Sequence, residues 1–272
     1  MNNITVLIPI HAWGEDVKAE LEKGVSSVEK AQQEYKNGEL IIEYVISSKL
    51  KKEVKLPATN LKNSTVWNGG DTDFCSQVNL GVDNVKTDFF SILEFDDEYL
   101  PKWFKHFSDY YYGNEEISAF LPINIVHTNR KDYMFGNEFG LSNAFITEKD
   151  EDTDDIGIIN FDRLENCSVF NLTGAVINTQ DFIKAGKYKP SIKVSFNYEL
   201  LLRMTKKGMK CMIVPKEGYL HNLGREGSLT YVYNKELTDE EIQKWFELAF
   251  NECIYDEDRK KTIIKDETIV LK

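Results

Sequence analysis

Three carboxylates lie within four positions of one another, directly after an apolar segment of the chain. Glu94, Asp96 and Asp97 follow the apolar run 89–93. Carboxylates this close repel one another unless a positive charge lies between them. Mg²⁺ or Mn²⁺ suits such oxygen ligands and usually keeps water and substrate phosphates as its other ligands. An acidic turn in solvent is the alternative, because acidic residues also commonly precede helices and Pro101 follows here.

Alternating strands and helices in the first hundred residues would position these carboxylates. Strands are predicted at 4–10 and 39–48, with an amphipathic helix from Asp16 to about Lys36 between them, because its apolar residues recur at spacings of three and four. A second helix then precedes the run 89–93, whose uniform apolarity is typical of a central parallel strand. This alternation predicts an α/β domain with a mostly parallel sheet, and ligands bind such sheets beyond the carboxyl ends of the strands. The acidic cluster falls at such an end.

The rest of the chain carries further helix and strand signals. We predict a helix after Pro101, a strand at 117–126, an irregular and mobile flap at 127–168, helices at 181–186 and 198–207, and a strand at 210–214. The capping box of Thr238 and Glu241 begins a helix to about Ile254, followed by a strand-like tail. We therefore divide the chain into a domain of residues 1–234 and a C-terminal segment, 235–272, that packs on it.

Several short motifs occur in a fixed order along the chain. They are Val6-Leu7-Ile8-Pro9-Ile10-His11, Asn79-Leu80-Gly81, Leu93-Glu94-Phe95-Asp96-Asp97, Thr173-Gly174-Ala175-Val176-Ile177, Phe182-Ile183-Lys184-Ala185-Gly186, Leu200-Leu201-Leu202-Arg203, Val214-Pro215 and His221. In this order, over roughly residues 4–230, the chain resembles the family 2 glycosyltransferases. Glu94 stands in place of the first aspartate of the family's DxDD segment.

The resemblance implies the GT-A (nucleotide-diphospho-sugar transferase) fold, Rossmann-like, with a mostly parallel central sheet and helices on both faces. It also implies an inverting, metal-dependent transfer of sugar from a nucleotide-diphospho-sugar, with a UDP-sugar favoured, to a glycan or protein acceptor. By the resemblance, Asp96 and His221 ligate Mn²⁺ or Mg²⁺, Asp97 is a less favoured ligand, and Glu94 contacts the ribose or the metal. The other nucleotide contacts implied are Pro9, His11, Ser47 and Asn79.

Two positions depart from the family pattern. The Glu-Asp pair that supplies the catalytic base aligns with Phe196-Asn197, and an asparagine cannot take a proton from the acceptor hydroxyl. Glu199 is a weak substitute, because two positions along a helix turn it away from that face. Where the family usually has an aspartate that contacts the base, this chain has Ser47-Ser48, whose hydroxyls can still form hydrogen bonds.

Two functions therefore stay open at this point. One is a hexosyltransferase-type glycosyltransferase, and the other is a catalytically impaired relative that serves as a binding or structural module. Phosphoryl or nucleotidyl transfer is disfavoured, because the loop after the first strand lacks a glycine-rich or basic phosphate cradle.

The composition of the chain limits the classes of binding partner and the cellular compartment that we expect. A formal net charge of −12 disfavours nucleic acids and anionic membranes, which attract basic surfaces. The four cysteines form no CxxC pair, so neither a zinc cluster nor a dense disulfide framework is predicted. No apolar run approaches the ~20 residues of a membrane span, and the N-terminus lacks the features of a signal peptide. We expect a soluble, cytoplasmic protein.

Overall fold

Apolar and β-branched runs form the strands of one mixed sheet. The computed structural model describes residues 2–70, 73–128, 139–144, 157–166, 168, 170–223 and 235–254. Its strands are β1 (Ile4–Ile10), β2 (Leu40–Ser47), β3 (Asn63–Asn68), β4 (Phe89–Ile92), β5 (Glu98–Tyr99), β6 (Ile117–Thr128), β7 (Phe139–Ser142), β8 (Ile158–Ile159), β9 (Val176–Asn178) and β10 (Lys210–Leu223). They are ordered β3-β2-β1-β4-β9-β6-β10-β5, with β7 on β6 and β8 on β10.

The long strands of this sheet share one direction. Strands β3, β2, β1 and β4 pair in parallel, and so do β6 and β10. The short strand β9 runs antiparallel to both β4 and β6, so these two neighbours also point the same way. The carboxyl ends of β1 to β4 therefore meet at one edge of the sheet. The predicted α/β architecture with a mostly parallel sheet is confirmed.

Helices cover both faces of the sheet. They are α1 (Glu15–Glu34), α2 (Phe74–Asn84), α3 (Trp103–Tyr111), α4 (Phe161–Asn166), α5 (Thr179–Ala185), α6 (Phe196–Lys206) and α7 (Asp239–Ile254). Side chains alternate along β1, so that Val6 and Ile8 pack with the helices α1 and α3 whereas Leu7 packs with α2 and α6. Each such fully buried side chain contributes about 1.5–3 kcal/mol to folding. No helix among these described residues is long and apolar enough to cross a bilayer.

The C-terminal helix begins where the sequence predicts. Thr238 Oγ1 accepts the Glu241 main-chain N–H at 3.3 Å, while the Glu241 carboxylate accepts from Thr238 N at 2.8 Å, which is the predicted capping box. Ala249 of α7 is buried, and Ser195 Oγ donates to the carbonyl oxygen of Trp245 at 2.7 Å. Helix α7 thus packs on the N-terminal end of α6. The predicted strand-like tail after Ile254 lies outside the described residues.

The segment predicted as an irregular flap contains regular structure in its described part. Strands β7 and β8 and helix α4 all lie between residues 139 and 166, and β7 and β8 extend the sheet. The prediction of irregular structure is wrong for these pieces, because each is too short to show a clear period in the sequence. The acidic run Glu148 to Asp155 lies outside the described residues.

Candidate functional site

Glu94, Asp97 and His221 meet at the carboxyl edge of the sheet. Each offers one ligand atom, and the three atoms lie within 4.8 Å of one another. Strand β4 ends two residues before Glu94, and the chain then turns, with Asp97 N donating to the Glu94 carbonyl at 3.0 Å. His221 belongs to β10, on the other side of β9 and β6 in the sheet order. The cluster therefore joins positions that are far apart in the sequence.

The charge balance of this cluster favours a cation. Burial, and after it the charge of Asp97, raise the pKa of Glu94 to about 8, and His221 opposes the shift. Asn222 N donates to Asp97 Oδ1 at 2.8 Å and orients that carboxylate, and Thr173 Oγ1 lies 3.3 Å from the Glu94 carboxylate. Two carboxylate oxygens and one imidazole nitrogen suit Mn²⁺, and the oxygens suit Mg²⁺. These residues fit a divalent metal ion.

Asp96 lies beside the cluster rather than in it. Its side chain lines a neighbouring cavity of about 250 Å³, together with Glu98 and His127. The turn explains the difference, because residues three apart in a turn, such as Glu94 and Asp97, share a side, and the two residues between them point elsewhere. The sequence-based ranking placed Asp96 ahead of Asp97, whereas the structure brings Asp97 to His221. The metal ligation itself stays a prediction.

Asn197 is linked to the cluster by hydrogen bonds between side chains. Its Nδ2 donates to Asn171 Oδ1 at 3.0 Å, and its Oδ1 accepts from the Tyr188 hydroxyl at 2.8 Å. The Nδ2 atom of Asn171 lies 3.4 Å from Nδ1 of His221. Asn197, the predicted base position, is thus linked to the predicted metal ligand His221 through one intervening residue, Asn171.

Glu199 is engaged elsewhere. Its carboxylate is fully buried, and its oxygens lie 2.7 Å from Arg203 Nη2 and 3.0 Å from Lys189 Nζ. Arg203 also donates to the carbonyl oxygens of Ala185 and Lys187. Glu199 therefore anchors the α5–α6 connection, and this use of both its oxygens gives no support to a role as a substitute base.

Three predicted nucleotide contacts lie together at the sheet edge. Pro9 near the end of β1 pairs with Val45 of β2, and Ser47 ends β2. His11 follows β1 directly, with its ring centroid 5.0 Å from that of Phe95. The Oγ of Ser47 is buried and has no hydrogen-bond partner among the described residues. This edge can hold a polar ligand group next to the acidic turn.

Asn79 has a different role in the structure. Its Nδ2 donates to the carbonyl oxygen of Tyr188 at 2.8 Å, and its Oδ1 accepts from Tyr188 N at 3.0 Å. Both polar ends of the amide are used by one residue of the chain, so Asn79 fixes Tyr188 and through it Asn197. In this structure Asn79 is therefore a positioning residue, and the nucleotide contact predicted for it stays a prediction.

Sequence reasoning missed four residues of this site, namely Asn171, Thr173 as a neighbour of the Glu94 carboxylate, Tyr188 and Asn222. Asn171 comes two positions before the motif that starts at Thr173, and Asn222 follows His221 directly. Adjacency to a motif is the only signal that could have found them. Asparagine and threonine are common in loops, where they cap turns far more often than they line sites.

No model of a known protein family matches the sequence, and no curated protein matches it. Solved structures do match the fold of this chain. A structure of S. aureus TarS residues 1–349 with UDP-GlcNAc superposes with a TM-score of 0.61 at 10% identity, covering 96% of this chain and 69% of that one. A structure of GalNAc-T7 with UDP, GalNAc and Mn²⁺ superposes with a TM-score of 0.55 at 18% identity, covering 98% of this chain and 54% of that one. The chain spans about half the length of the GalNAc-T7 chain.

Sequence identities this low establish a shared fold and no finer property. The mostly parallel sheet, the helices on both faces and these similarities define a GT-A fold, as the sequence predicted.

Proposed function

We propose that this chain is a metal-dependent, inverting glycosyltransferase of the family 2 type. It would move a sugar from a nucleotide-diphospho-sugar, with a UDP-sugar favoured, to a glycan or protein acceptor. The observation that carries the proposal is the cluster of Glu94, Asp97 and His221 at the carboxyl edge of a GT-A sheet. Two structures with this fold, those of TarS and GalNAc-T7, hold UDP-GlcNAc in one case and UDP, GalNAc and Mn²⁺ in the other, which supports the choice of donor and ion.

Different residues along the sheet edge would have different roles in the reaction. His11 and Ser47 would bind the base and ribose, and the cluster would hold Mn²⁺ or Mg²⁺. When bound, the ion supplies positive charge that stabilises the diphosphate leaving group. Asn197 would face the acceptor hydroxyl, which it can orient by hydrogen bonding but cannot deprotonate.

A second candidate is a binding module that keeps the donor site without turnover. Asn197 favours it, because its amide is held by Tyr188 and Asn171 and carries no base. Both candidates predict donor binding, and only the first predicts sugar transfer or release.

Calorimetric titration of UDP and UDP-sugars, with and without Mn²⁺, tests the shared part of the proposal. We expect binding that requires the ion, and sugar release over time then separates the enzyme from the binding module. Failure of UDP and of every sugar nucleotide to bind in the presence of Mn²⁺ would sink both candidates.

Asp96→Ala and Asp97→Ala form a matched pair that tests the site geometry. Each removes one carboxylate from the same turn, so they differ only in where that carboxylate lies. We expect Asp97→Ala to weaken Mn²⁺-dependent UDP binding at least about tenfold and Asp96→Ala to weaken it less, since ligand loss costs more than loss of a neighbouring charge. The reverse order would restore the sequence-based ranking.

We also propose a cytoplasmic location, which the cysteines support. Cys75 and Cys211 are buried free thiols, as expected in a reducing compartment. Cell fractionation with a tagged full chain tests this, and recovery in a secreted fraction would contradict it.

A further inference from the structure

The orientation of the Asn171 amide is fixed by its neighbours. Its Oδ1 accepts from Thr173 N at 2.9 Å, from Thr173 Oγ1 at 2.6 Å and from Asn197 Nδ2 at 3.0 Å. A main-chain N–H can only donate, so the atom that faces it must be the amide oxygen. The amide nitrogen of Asn171 is therefore the atom that faces His221.

The backbone of Asn171 is held just as firmly. Asn171 N donates to Asn143 Oδ1 at 2.9 Å, and Asn143 Nδ2 donates to the carbonyl oxygens of Asn171 and Pro122, each at 2.9 Å. Asn143 is buried and has a φ of 63°, a left-handed conformation that is uncommon outside glycine. Such a conformation persists only where its surroundings determine it, which indicates that the position of Asn171 is tightly set.

The fixed amide restricts the histidine. The Nδ2 atom of Asn171 lies 3.4 Å from Nδ1 of His221 and has only hydrogens to offer, so Nδ1 must accept. A neutral imidazole has one protonated and one bare nitrogen, and the proton must then be on Nε2. Since a metal ion binds only a bare nitrogen, the bond from Asn171 occupies the one atom through which His221 could ligate an ion.

We propose that Asn171 is a positioning residue that sets the tautomer of His221 and thereby lowers the metal affinity of the cluster. This inference rests on the proposed function, in which His221 ligates the metal. A metal-binding histidine usually donates its second N–H to a carboxylate or a carbonyl oxygen, which leaves the other nitrogen bare. Here the amide N–H of Asn171, a donor, lies where that acceptor would be. The hydrogen bond from Asn171 to Nδ1 of His221 must therefore break before His221 can bind the ion.

Asn171→Asp is the decisive change. The new carboxylate can still accept from Thr173 and Asn197, and it would also accept from Nδ1–H of His221, which frees Nε2 for the ion. Outer-shell partners change metal affinity about 10- to 100-fold, so we expect the Mn²⁺ dissociation constant to fall about tenfold. Asn251→Asp adds the same charge at an exposed position of α7 and should leave Mn²⁺ affinity unchanged.

A gain in affinity could also come from direct ligation of the ion by the new carboxylate. The double variant Asn171→Asp with His221→Ala separates the two causes, because a gain that acts through the histidine disappears when the histidine is removed. We expect the gain to be lost in that background. A gain that persists there would overturn the proposal, and so would a loss of affinity in Asn171→Asp itself.

Heteronuclear NMR of the histidine side chains gives a readout that needs no metal. With the imidazole in its neutral form, we expect the proton of His221 on Nε2 in the natural protein and on Nδ1 in Asn171→Asp. A proton on Nδ1 in the natural protein refutes the inference whatever the metal data show. The two expected tautomers, found together with no Mn²⁺ binding by either protein, would uphold the role of Asn171 in setting the tautomer. The same result would refute the metal site and the proposed effect of Asn171 on metal affinity.

Discussion

Gly174→Ala tests how tightly the core supports the candidate site. Gly174 has a φ of 74°, and a Cβ there would lie 2.4 Å from Cδ2 and 2.7 Å from Cγ of Tyr219. The Tyr219 ring is fully buried against Tyr99, with 5.2 Å between centroids, and its hydroxyl accepts from Glu94 N at 3.1 Å. The ring therefore cannot yield without disturbing the residue that begins the acidic turn.

Two costs add in this variant. Alanine in the left-handed region costs about 1–2 kcal/mol, and overpacking a filled core costs about 1–3 kcal/mol. We expect Gly174→Ala to lower the free energy of unfolding by about 2–5 kcal/mol. Since Tyr219 contacts Glu94, Mn²⁺-dependent UDP binding should weaken as well.

Gly208→Ala is the matched control for the backbone cost. Gly208 has a φ of 78°, and its Cβ would meet nothing within 4 Å. It should therefore show the backbone cost alone, and the difference between the two variants in urea unfolding measures the contact with Tyr219. Equal losses of stability in the two variants would refute the reasoning, because they would mean that Tyr219 does not press on Gly174.

Two further predictions concern the carboxylate and the amide of the site. Because the pKa of Glu94 is about 8 in the fold and near its ordinary value when unfolded, the native state binds the extra proton between about pH 4.5 and 8, and stability falls as pH rises through that window. Glu94→Gln should remove this slope and stabilise the metal-free protein at about pH 8 by on the order of a few kcal/mol, and an unchanged slope in urea titrations at about pH 5 and 8 would contradict this. Asn197→Asp places a carboxylate at the position predicted for the catalytic base, and we expect it to raise sugar transfer about 100-fold or more, relative to Asn197→Ala. No gain in a turnover assay, with donor binding intact, would argue that the acceptor side is also lost.

Much of the fold follows from local patterns in the sequence. The spacing of Val17, Leu21, Val25 and Val28 predicts α1, and all four are buried in the structure. The uniform apolarity of β4 predicts its central place, and the capping box predicts the start of α7. Each of these signals works because helical and strand periods act over a few residues, where the sequence shows them directly.

The antiparallel strand β9 shows where such patterns end. It has three residues, Val176 to Asn178, and its pairing with β4 and β6 depends on strands about 60 to 90 positions earlier. Neither its direction nor its place in the sheet has a local signature. Short strands take both from the neighbours against which they pack.

The features of the candidate site also divide into those that the sequence sets and those that the tertiary structure sets. The sequence by itself determined that an acidic turn follows a central parallel strand, and that a neutral amide occupies the position predicted for a base. Only the tertiary structure decided that Asp97 and not Asp96 meets His221, that Asn79 fixes Tyr188, and that Asn171 joins Asn197 to His221. These contacts join residues 26 to 124 positions apart. Which side chains meet over such distances is set by the packing of whole helices and strands, which no short stretch of sequence encodes.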